Sequence, residues 1–462
     1  MTGFIDHTAP RGLLATARHL TRDECEAIAR RVLGYASADE TRVTISSGTT
    51  GNTRFAVNQI STAGDSYDAV VSVRSAFGRR SASATTNKLD DASLRAVVQR
   101  AEALARLAPE DPEAMPELGP QQYQEGAGWS EATASLDPGA RAAAVRAVSE
   151  PSRGANLVST GYLEANAGAF AVANNKGLFA YRRSTAASMT TTVRTPDGTG
   201  SGWAGAAHHD FSKIDAAALG ARAIEKARRS VNPAAIEPGR YTVVLEPTAV
   251  GNLVQLIAGA LSARAADEGR SFFTKPGGGT KLGQKVVDER VTLSSDPFDP
   301  ETPGAPFGGD GLPQRRTTWI ENGVVKNLAY DRYWAQQKGV EPTGASGFRM
   351  SGGDASLEDL IASTERGLLV TRLWYIRPVD PRTILYTGLT RDGTFLIERG
   401  KITRAVKNLR WNESPIFLLN NIEGMGRPVR VSASEDGSPG APIVVPPVKA
   451  RDFNFTSTSD AV

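Results

Sequence analysis

The segment EPTAVGNLVQLIAGALSARAADEGRSFF, residues 246–273, decides how this chain is interpreted. An apolar, β-branched segment at 241–245 comes directly before it and predicts a strand. Pro247 supplies a helix start, and apolar side chains then recur at helical spacing. These side chains are Leu253, Leu256, Ile257, Ala260 and Leu261. We therefore expect one helix over 246–273 with its apolar face buried in a core.

The sequence on either side of this helix predicts an α+β protein with two domains. Residues 1–236 alternate short strand patterns with helical ones, and we expect an N-terminal mixed sheet with helices. The Glu237-Pro-Gly turn marks the boundary. Residues 237–462 predict a β-rich domain, a meander or barrel-like arrangement around the central helix.

Side chains that cap helices locate two further helix starts. Thr21 and Glu24 form a capping-box pattern, and the helix that they begin is expected to extend to about residue 36. Ser212 and Asp215 repeat this pattern, so we expect a second helix from Ser212 to about residue 230.

Turn residues organise the second half of the chain. Asn322-Gly323 lies between two β-like segments and predicts a tight hairpin, with its second strand over 324–330. Residues 274–314 are rich in glycine and proline, and predict a long irregular region. A closing strand is expected over 443–448.

The composition is that of an ordinary globular protein, with 40% hydrophobic and 22% charged residues in 462. The net charge is only +3 and no run of Lys or Arg exceeds two residues, which argues against a nucleic-acid or anionic-membrane partner. The longest uncharged apolar run, 247–263, is too short and too polar to span a bilayer. The first residues lack the continuous apolar segment of a secretory signal. We therefore expect a cytoplasmic protein.

The single cysteine, Cys25, supports the same location because one cysteine cannot form an intrachain disulfide. It lies on the apolar face of the helix that begins at Thr21. A small buried side chain is therefore expected there, with a reactive thiol as the alternative.

Dispersed sequence strings, in a consistent order, resemble one family. They include NKLDDASLR at 87–95, NKGLFAYRRST at 175–185, VTRLWY at 370–375, TGLTRDG at 387–393 and KNLR at 407–410. From about residue 20 to its end, the chain resembles the TldD/PmbA family of metallopeptidases. The catalytic members carry an HExxxH zinc motif on the helix that corresponds to 246–273.

The three chemical residues of that motif are replaced in this chain. The first His position holds Gln255, the Glu position holds Leu256 and the second His position holds Ala260. Leu and Ala cannot ligate zinc and Gln is a poor ligand, so the helix cannot hold zinc in the family's way. The catalytic relatives complete their site with a C-terminal Cys, which is also missing here.

The resemblance is therefore to the TldE (PmbA) branch of partner subunits. It implies a TldD-like catalytic subunit as partner, with zinc on that partner only, and a complex that degrades or processes unfolded or linear peptides. This chain would supply assembly contacts and cavity walls. Two alternatives remain open: a stand-alone peptidase or other hydrolase with unrecognised metal ligands, and a peptide-binding homodimer.

Other chemistry is sparse in the sequence. The adjacent His208 and His209, beside Asp210, form either a solvated loop or a loop metal site. A Ser-His-Asp site has no histidine available in the C-terminal half. GGGTK at 277–281 lacks the full phosphate-loop pattern and is better interpreted as a flexible loop.

Alternation along 370–377 suggests where a peptide would bind. Arg372 would share one face of a strand with Trp374, and Tyr375 the other face with Arg377. One face would line a cleft that uses Arg for carboxylates and aromatic rings for side chains. The alternative is a structural strand with one partly exposed Arg. Arg315 and Arg316, just before the hairpin, are a second candidate for the cleft or a solvated turn.

Overall fold

The structure is a computed structural model and describes residues 18–344, 347–432 and 442–459. The first residues, which were expected to lack a secretory signal, fall outside this range. None of the helices in the described part of the chain combines the length and apolarity that a membrane crossing requires.

The N-terminal half contains five α-helices and six strands within these limits. The helices are α1 (Arg22–Tyr35), α2 (Asp91–Leu107), α3 (Glu131–Ala134), α4 (Pro138–Gly154) and α5 (Ala216–Arg229). The strands are β1 (Glu40–Ala56), β2 (Gln59–Phe77), β3 (Arg80–Thr86), β4 (Val158–Asn174), β5 (Phe179–Arg194) and β6 (Ser201–His208). The expected capping box of α1 forms between Thr21 and Glu24.

The six strands form one sheet in the order β3-β2-β1-β4-β5-β6. Its neighbours pair antiparallel throughout, rather than mixed as expected, because tight turns join β1 to β2, β2 to β3 and β4 to β5. Odd-numbered residues of β4, such as Leu163 and Ala171, face the helices. At one end of this face α1 and α2 pack on the sheet, and at the other end α4 and α5 do.

The helix-free face of this sheet lies toward the C-terminal half of the chain. Val172, Leu178 and Ala180 form a small core there with Phe307. Even-numbered residues of β4 and β5 point to this side because successive side chains of a strand alternate between its faces.

The described residues of the C-terminal half form five helices and fifteen strands. The helices are α6 (Pro247–Ala260), α7 (Ala263–Asp267), α8 (Arg332–Lys338), α9 (Leu357–Ala362) and α10 (Pro415–Asn420). The first strands are β7 (Gly239–Leu245), β8 (Leu293–Ser295), β9 (Thr317–Glu321), β10 (Val324–Val325), β11 (Phe348–Met350), β12 (Arg366–Val370), β13 (Leu373–Asp380) and β14 (Leu385–Thr390). The others are β15 (Thr394–Glu398), β16 (Lys401–Ala405), β17 (Leu409–Glu413), β18 (Ile422–Met425), β19 (Val429–Ser432), β20 (Pro442–Val445) and β21 (Val448–Thr458).

These strands form two sheets around α6, which confirms a β-rich half built on a central helix. One sheet follows β13-β14-β17-β21-β7-β12-β15-β16, with β18 paired to β21, and the other follows β10-β9-β8-β11-β20-β19. In the described residues both sheets are open rather than closed into a barrel. Val250, Leu253 and Ile257 of α6 are fully buried in the large core that the two sheets share.

The segment that was expected to form one helix is two helices. The backbone N–H of Ala329 donates to Leu261 O, and Ala263 N donates to Ala329 O. These bonds take the backbone at 261–263 out of the helical pattern. The side chain of Ser262 then accepts from Ala265 N and caps α7.

Three further element ends differ from the sequence prediction. The helix expected from Ser212 begins at Ala216, because Asp215 is its N-cap and 211–213 form a separate 3-10 turn capped by Asp210. The second hairpin strand, β10, is only two residues long. The closing strand over 443–448 is divided into β20 and the start of β21, and β21 runs through the middle of the larger sheet.

Candidate functional site

The family's motif positions lie on the half-exposed face of α6. Gln255, Leu256 and Ala260 are each partly exposed, whereas Leu253 and Ile257 are fully buried on the other side of the helix. Leu256 and Ala260 pack at the margin of the large core and present only carbon atoms. The family implies zinc at this position, but these side chains do not fit it, since neither Leu nor Ala carries a donor atom.

The other side chains that could ligate a metal ion are those of His, Cys, Asp and Glu. Among the described residues, no group of three or more His, Cys, Asp and Glu side chains is arranged to hold a metal ion. Cys25 is fully buried in the core between α1, α2 and the N-terminal sheet, and burial raises its pKa to about 11. The thiol is therefore a small buried side chain, as the sequence favoured, and not a thiolate.

A cleft of about 1010 Å³ opens beside the first turn of α6, between the two halves of the chain. Lys226 of α5 reaches across to Glu246, the N-cap residue of α6, with Nζ 2.7 Å from the carboxylate. The rest of its wall combines apolar side chains with two carboxylates, Glu225 and Glu358, and with five basic side chains from α5, β16 and the segment before β19: Arg222, Arg229, Lys401, Arg404 and Arg427. No local sequence pattern indicates this cleft, because its walls come from segments far apart in the chain.

The predicted alternation along β13 is interrupted at Tyr375. This residue has a positive φ of 53°, and the register between β13 and β14 shifts between Trp374 and Arg377. Trp374 and Tyr375 consequently contact each other, with ring centroids 5.5 Å apart. The Arg391 guanidinium lies 4.2 Å from the Trp374 ring centroid, and that of Arg377 lies 4.3 Å from the Tyr375 centroid.

Arg372 is separated from this aromatic cluster by burial. Its side chain is only 4% exposed and pairs with Asp392 at 2.9 Å. Its guanidinium also lies over the Trp203 ring of the N-terminal half, 4.5 Å from the centroid. Arg372 therefore connects the two halves of the protein instead of sharing a face with Trp374.

Arg315 and Arg316 are exposed just before β9, in the smaller C-terminal sheet. Arg315 approaches Pro342 O at 3.4 Å, and its other nearby acceptor is the Thr343 hydroxyl. This position fits the solvated turn that was the alternative to a cleft. The two candidate groups thus lie on different sheets, and whether either binds peptide stays a prediction.

His208 and His209 do not lie in a solvated loop. They are half-buried at the end of β6, with ring centroids 4.4 Å apart. Nδ1 of His208 accepts the backbone N–H of Asp210 at 2.9 Å, so this nitrogen is already engaged. Both rings line a cavity between the N-terminal sheet and the C-terminal half.

The segment at 277–281 is irregular, with positive φ at Gly277, Gly278 and Gly279. After residue 281 the next helix is α8, which begins only at Arg332, so the loop lacks the helix N-terminus that a phosphate loop requires.

Comparison with known proteins agrees with this architecture. Three family models match in succession: PmbA/TldA metallopeptidase domain 1 over 42–105, the central domain over 131–231 and the C-terminal domain over 238–457. The fold is similar to that of TldE from Thermococcus kodakarensis, with a TM-score of 0.83 and 20% identity over 94% of this chain and 99% of that one.

Curated relatives are similar over a more limited length. A metalloprotease of Methanothermobacter thermautotrophicus is 27% identical over 254 residues, which are 51% of this chain and 53% of that protein. A zinc metalloprotease TldD homolog of Saccharolobus solfataricus is 27% identical over 220 residues, 42% of this chain and 46% of its own length. The chain thus matches about half the length of these relatives. Because successive domain models of one family match from residue 42 to residue 457, the chain belongs to the PmbA/TldD metallopeptidase family.

Proposed function

We propose that this chain is the non-catalytic, TldE-like subunit of a TldD/TldE-type metallopeptidase that degrades or processes unfolded or linear peptides. The observation that carries the proposal is the face of α6 on which Leu256 and Ala260, whose side chains carry no donor atom, occupy motif positions. A helix that lacks both the general base and a second ligand cannot activate a zinc-bound water.

Two comparisons support a partner in this role. The fold is similar to that of a protein named TldE, and a curated relative is named a TldD homolog. In the proposed complex the catalytic zinc belongs to a TldD-like chain, and this chain contributes walls of the peptide-binding cavity. A cytoplasmic location is part of the proposal, since a chain whose single cysteine is buried suits a reducing compartment.

The test is co-expression of this chain with the TldD-type chain from the same genome, followed by native mass spectrometry and a peptidase assay. We expect a heteromer that contains zinc and cleaves a linear peptide, while this chain alone does neither. Zinc bound stoichiometrically to this chain alone, with peptidase activity, would favour the stand-alone enzyme and overturn the proposal. A metal-free homodimer that ignores the TldD-type chain would favour the peptide-binding homodimer.

A matched pair of variants locates the chemistry within the complex. Replacing the motif Glu of the TldD-type chain by Gln is expected to abolish cleavage, since that carboxylate acts on the zinc-bound water. Leu256→Met in this chain conserves volume at a packed position, so the activity of the complex is expected to be unchanged. Equal losses from both variants would contradict the proposed division of labour.

A further inference from the structure

A cavity of about 450 Å³ between the two halves of the chain contains charged groups that the proposed partnership does not use. Its floor is the helix-free face of β4 and β5, and the opposite wall includes the loop at 303–305 and Arg430 of β19. The volume is in the range of sites that hold small ligands or the end of a longer one. The polar side chains of the lining are Glu164, Asn166, Arg182, Ser184, Thr185, Ser188, His208, His209 and Arg430.

Arg182 is a half-buried cation with few contacts of its own. Its guanidinium lies 5.2 Å from the Phe170 ring centroid and donates one long bond, 3.5 Å, to the Ser184 hydroxyl. Its Nε is buried without a hydrogen-bond partner. Burial lowers the pKa of Arg182, and no carboxylate of a described residue offsets this cost.

Arg430 is the second cation of the cavity, and its bonds go to backbone oxygens. Its Nε donates to Ala207 O at 2.8 Å, and its Nη1 donates to Glu301 O. The nearby carboxylates of Asp299 and Glu301 pair with Arg349 instead. Burial lowers the pKa of Arg430 to about 10, although Glu301 and Asp299 oppose this effect.

The two histidines add neutral hydrogen-bonding groups beside these cations. The carbonyl of His209 accepts from the hydroxyls of Thr133 and Thr185, at 2.8 and 2.7 Å, which fixes its backbone. Its ring Nδ1 is buried without a partner. Because Nδ1 of His208 accepts a backbone N–H, the proton of its neutral ring lies on Nε2, which is then a donor.

The charge of the lining selects the class of ligand. Glu164 is its one carboxylate, and the Tyr162 hydroxyl and the Asn166 amide each donate to it at 2.9 Å. Within the lining, two guanidinium groups face this one carboxylate, and the Asp299 and Glu301 carboxylates beside Arg430 lie outside the lining and share Arg349 as their salt-bridge partner. The lining itself therefore carries an excess of positive charge while both histidines are neutral, and a monoanion matches it better than a phosphate dianion does. Arg side chains bind carboxylates through paired, charge-assisted N–H donors.

We infer that this cavity binds the carboxylate of a peptide, which Arg182 and Arg430 hold between the two halves of the chain. The choice of a peptide as carrier of the carboxylate rests on the proposed function. A second depression of about 320 Å³ adjoins the cavity through Asn166, Ser184 and Thr185, and its remaining wall consists mainly of small and hydroxyl residues of β1 and β4. It provides a polar path along the sheet for the chain that leads to the carboxylate.

The test uses the full chain without a partner and fluorescence anisotropy of three labelled short peptides made of glycine, alanine and serine. The first has a free C-terminus, the second has a C-terminal amide, and the third has the amide and one internal aspartate. We expect at least one carboxylate-bearing peptide to bind about tenfold or more tightly than the neutral amide, the factor typical of a charge-assisted bond. Preference for the first identifies the chain terminus, and preference for the third identifies an acidic side chain.

Variants then connect the preference to the cavity. Arg182→Gln and Arg430→Gln are each expected to remove it. Arg183→Gln is the matched control, because Arg183 is the next residue of β5 but lies over the Trp129 ring on the opposite face. Equal affinity of the wild-type chain for all three peptides, or no binding of any, overturns the inference without recourse to a variant. Co-purification with a TldD-type chain involves no peptide, so failure of the proposed function is detected separately.

Discussion

At the scale of single residues, Arg372 is a predicted cleft residue whose side chain forms a buried ion pair. Its guanidinium pairs with Asp392 Oδ2 at 2.9 Å, and the Ser201 hydroxyl donates to the other carboxylate oxygen at 2.7 Å. Both charged side chains are at most 5% exposed. The Asp392 carboxylate thus has one partner from each half of the protein, Ser201 and Arg372. The buried negative charge depends on both of them.

Removing one partner of this pair is expected to be costly. Arg372→Met leaves the Asp392 carboxylate buried without its counter-charge, so we expect a loss of about 3–5 kcal/mol in the free energy of unfolding. Urea denaturation measures it. Arg229→Met is the control, since the Arg229–Glu225 pair is exposed and worth about 1 kcal/mol or less. A loss for Arg372→Met no larger than that of the control would show that the buried pair contributes little.

At the scale of elements, the Asn322-Gly323 hairpin has a constraint beyond its turn type. Gly323 has a φ of +78°, and a Cβ at this position would lie 2.3 Å from Val287 O and 2.9 Å from Asp288 O. Its N–H also donates to Val291 O at 2.9 Å. The turn is therefore packed against the preceding irregular segment, which limits how far its backbone can move.

Two glycine variants separate the cost of a positive φ from the cost of a close contact with neighbouring backbone. Gly339→Ala, at the end of α8, has a similar φ of +64° with nothing within 4 Å of the new Cβ, and is expected to cost about 1–2 kcal/mol from backbone strain alone. Gly323→Ala adds a backbone clash and is expected to cost about 1–3 kcal/mol more. Thermal unfolding of both variants gives the comparison. Equal destabilisation would mean that the Val287–Asp288 backbone moves aside freely.

The type of an element could be predicted where neighbouring residues determine it. The end of an element could be predicted where a local capping residue determines it. The apolar face of α6, the capping box of α1 and the hairpin turn follow from neighbouring residues. The end of α6 does not, because it depends on backbone bonds with Ala329, a residue distant in the sequence. The bulge at Tyr375 likewise depends on pairing with β14, so strict alternation was the wrong guide to its neighbours.

The candidate sites differ in the same way: a site formed by neighbouring residues could be predicted, and a site formed by residues distant in the sequence could not. The lost motif on α6 is a local pattern and was visible in the sequence. The polar cavity was not, although His208, His209 and the segment that contains Arg182 were each noted. Arg430 carries no motif, and only the folded chain brings it to the end of β6, where it bonds to Ala207 O. Spacing along a sequence carries no information about such a junction.

At the scale of the whole molecule, polar contacts join the N-terminal sheet to the C-terminal half at several separate places. Arg264 makes a paired bond to Glu113, with both distances 2.7 Å, and the Tyr123 hydroxyl donates to Gly311 O at 2.8 Å. Lys226 with Glu246 and Ser201 with Asp392 add two more contacts. The polar cavity lies in this junction, so changes of charge in the cavity are expected to alter the stability of the whole fold.

Acid is therefore expected to weaken the protein before its carboxylates titrate. Burial, with Arg430, His209 and Lys213 nearby, lowers the pKa of His208 from 6.5 to about 4, and Asp210 only partly opposes this. Burial and Arg430 also lower the pKa of His209. Between about pH 6.5 and pH 4 the unfolded chain then binds protons that the folded chain does not, so the free energy of unfolding falls as the pH falls through this window. Urea denaturation across this range measures the slope.

His208→Asn keeps an acceptor near the Asp210 N–H but cannot titrate, and we expect it to flatten the slope of stability against pH. An unchanged slope in this variant would show that His208 titrates normally in the folded protein.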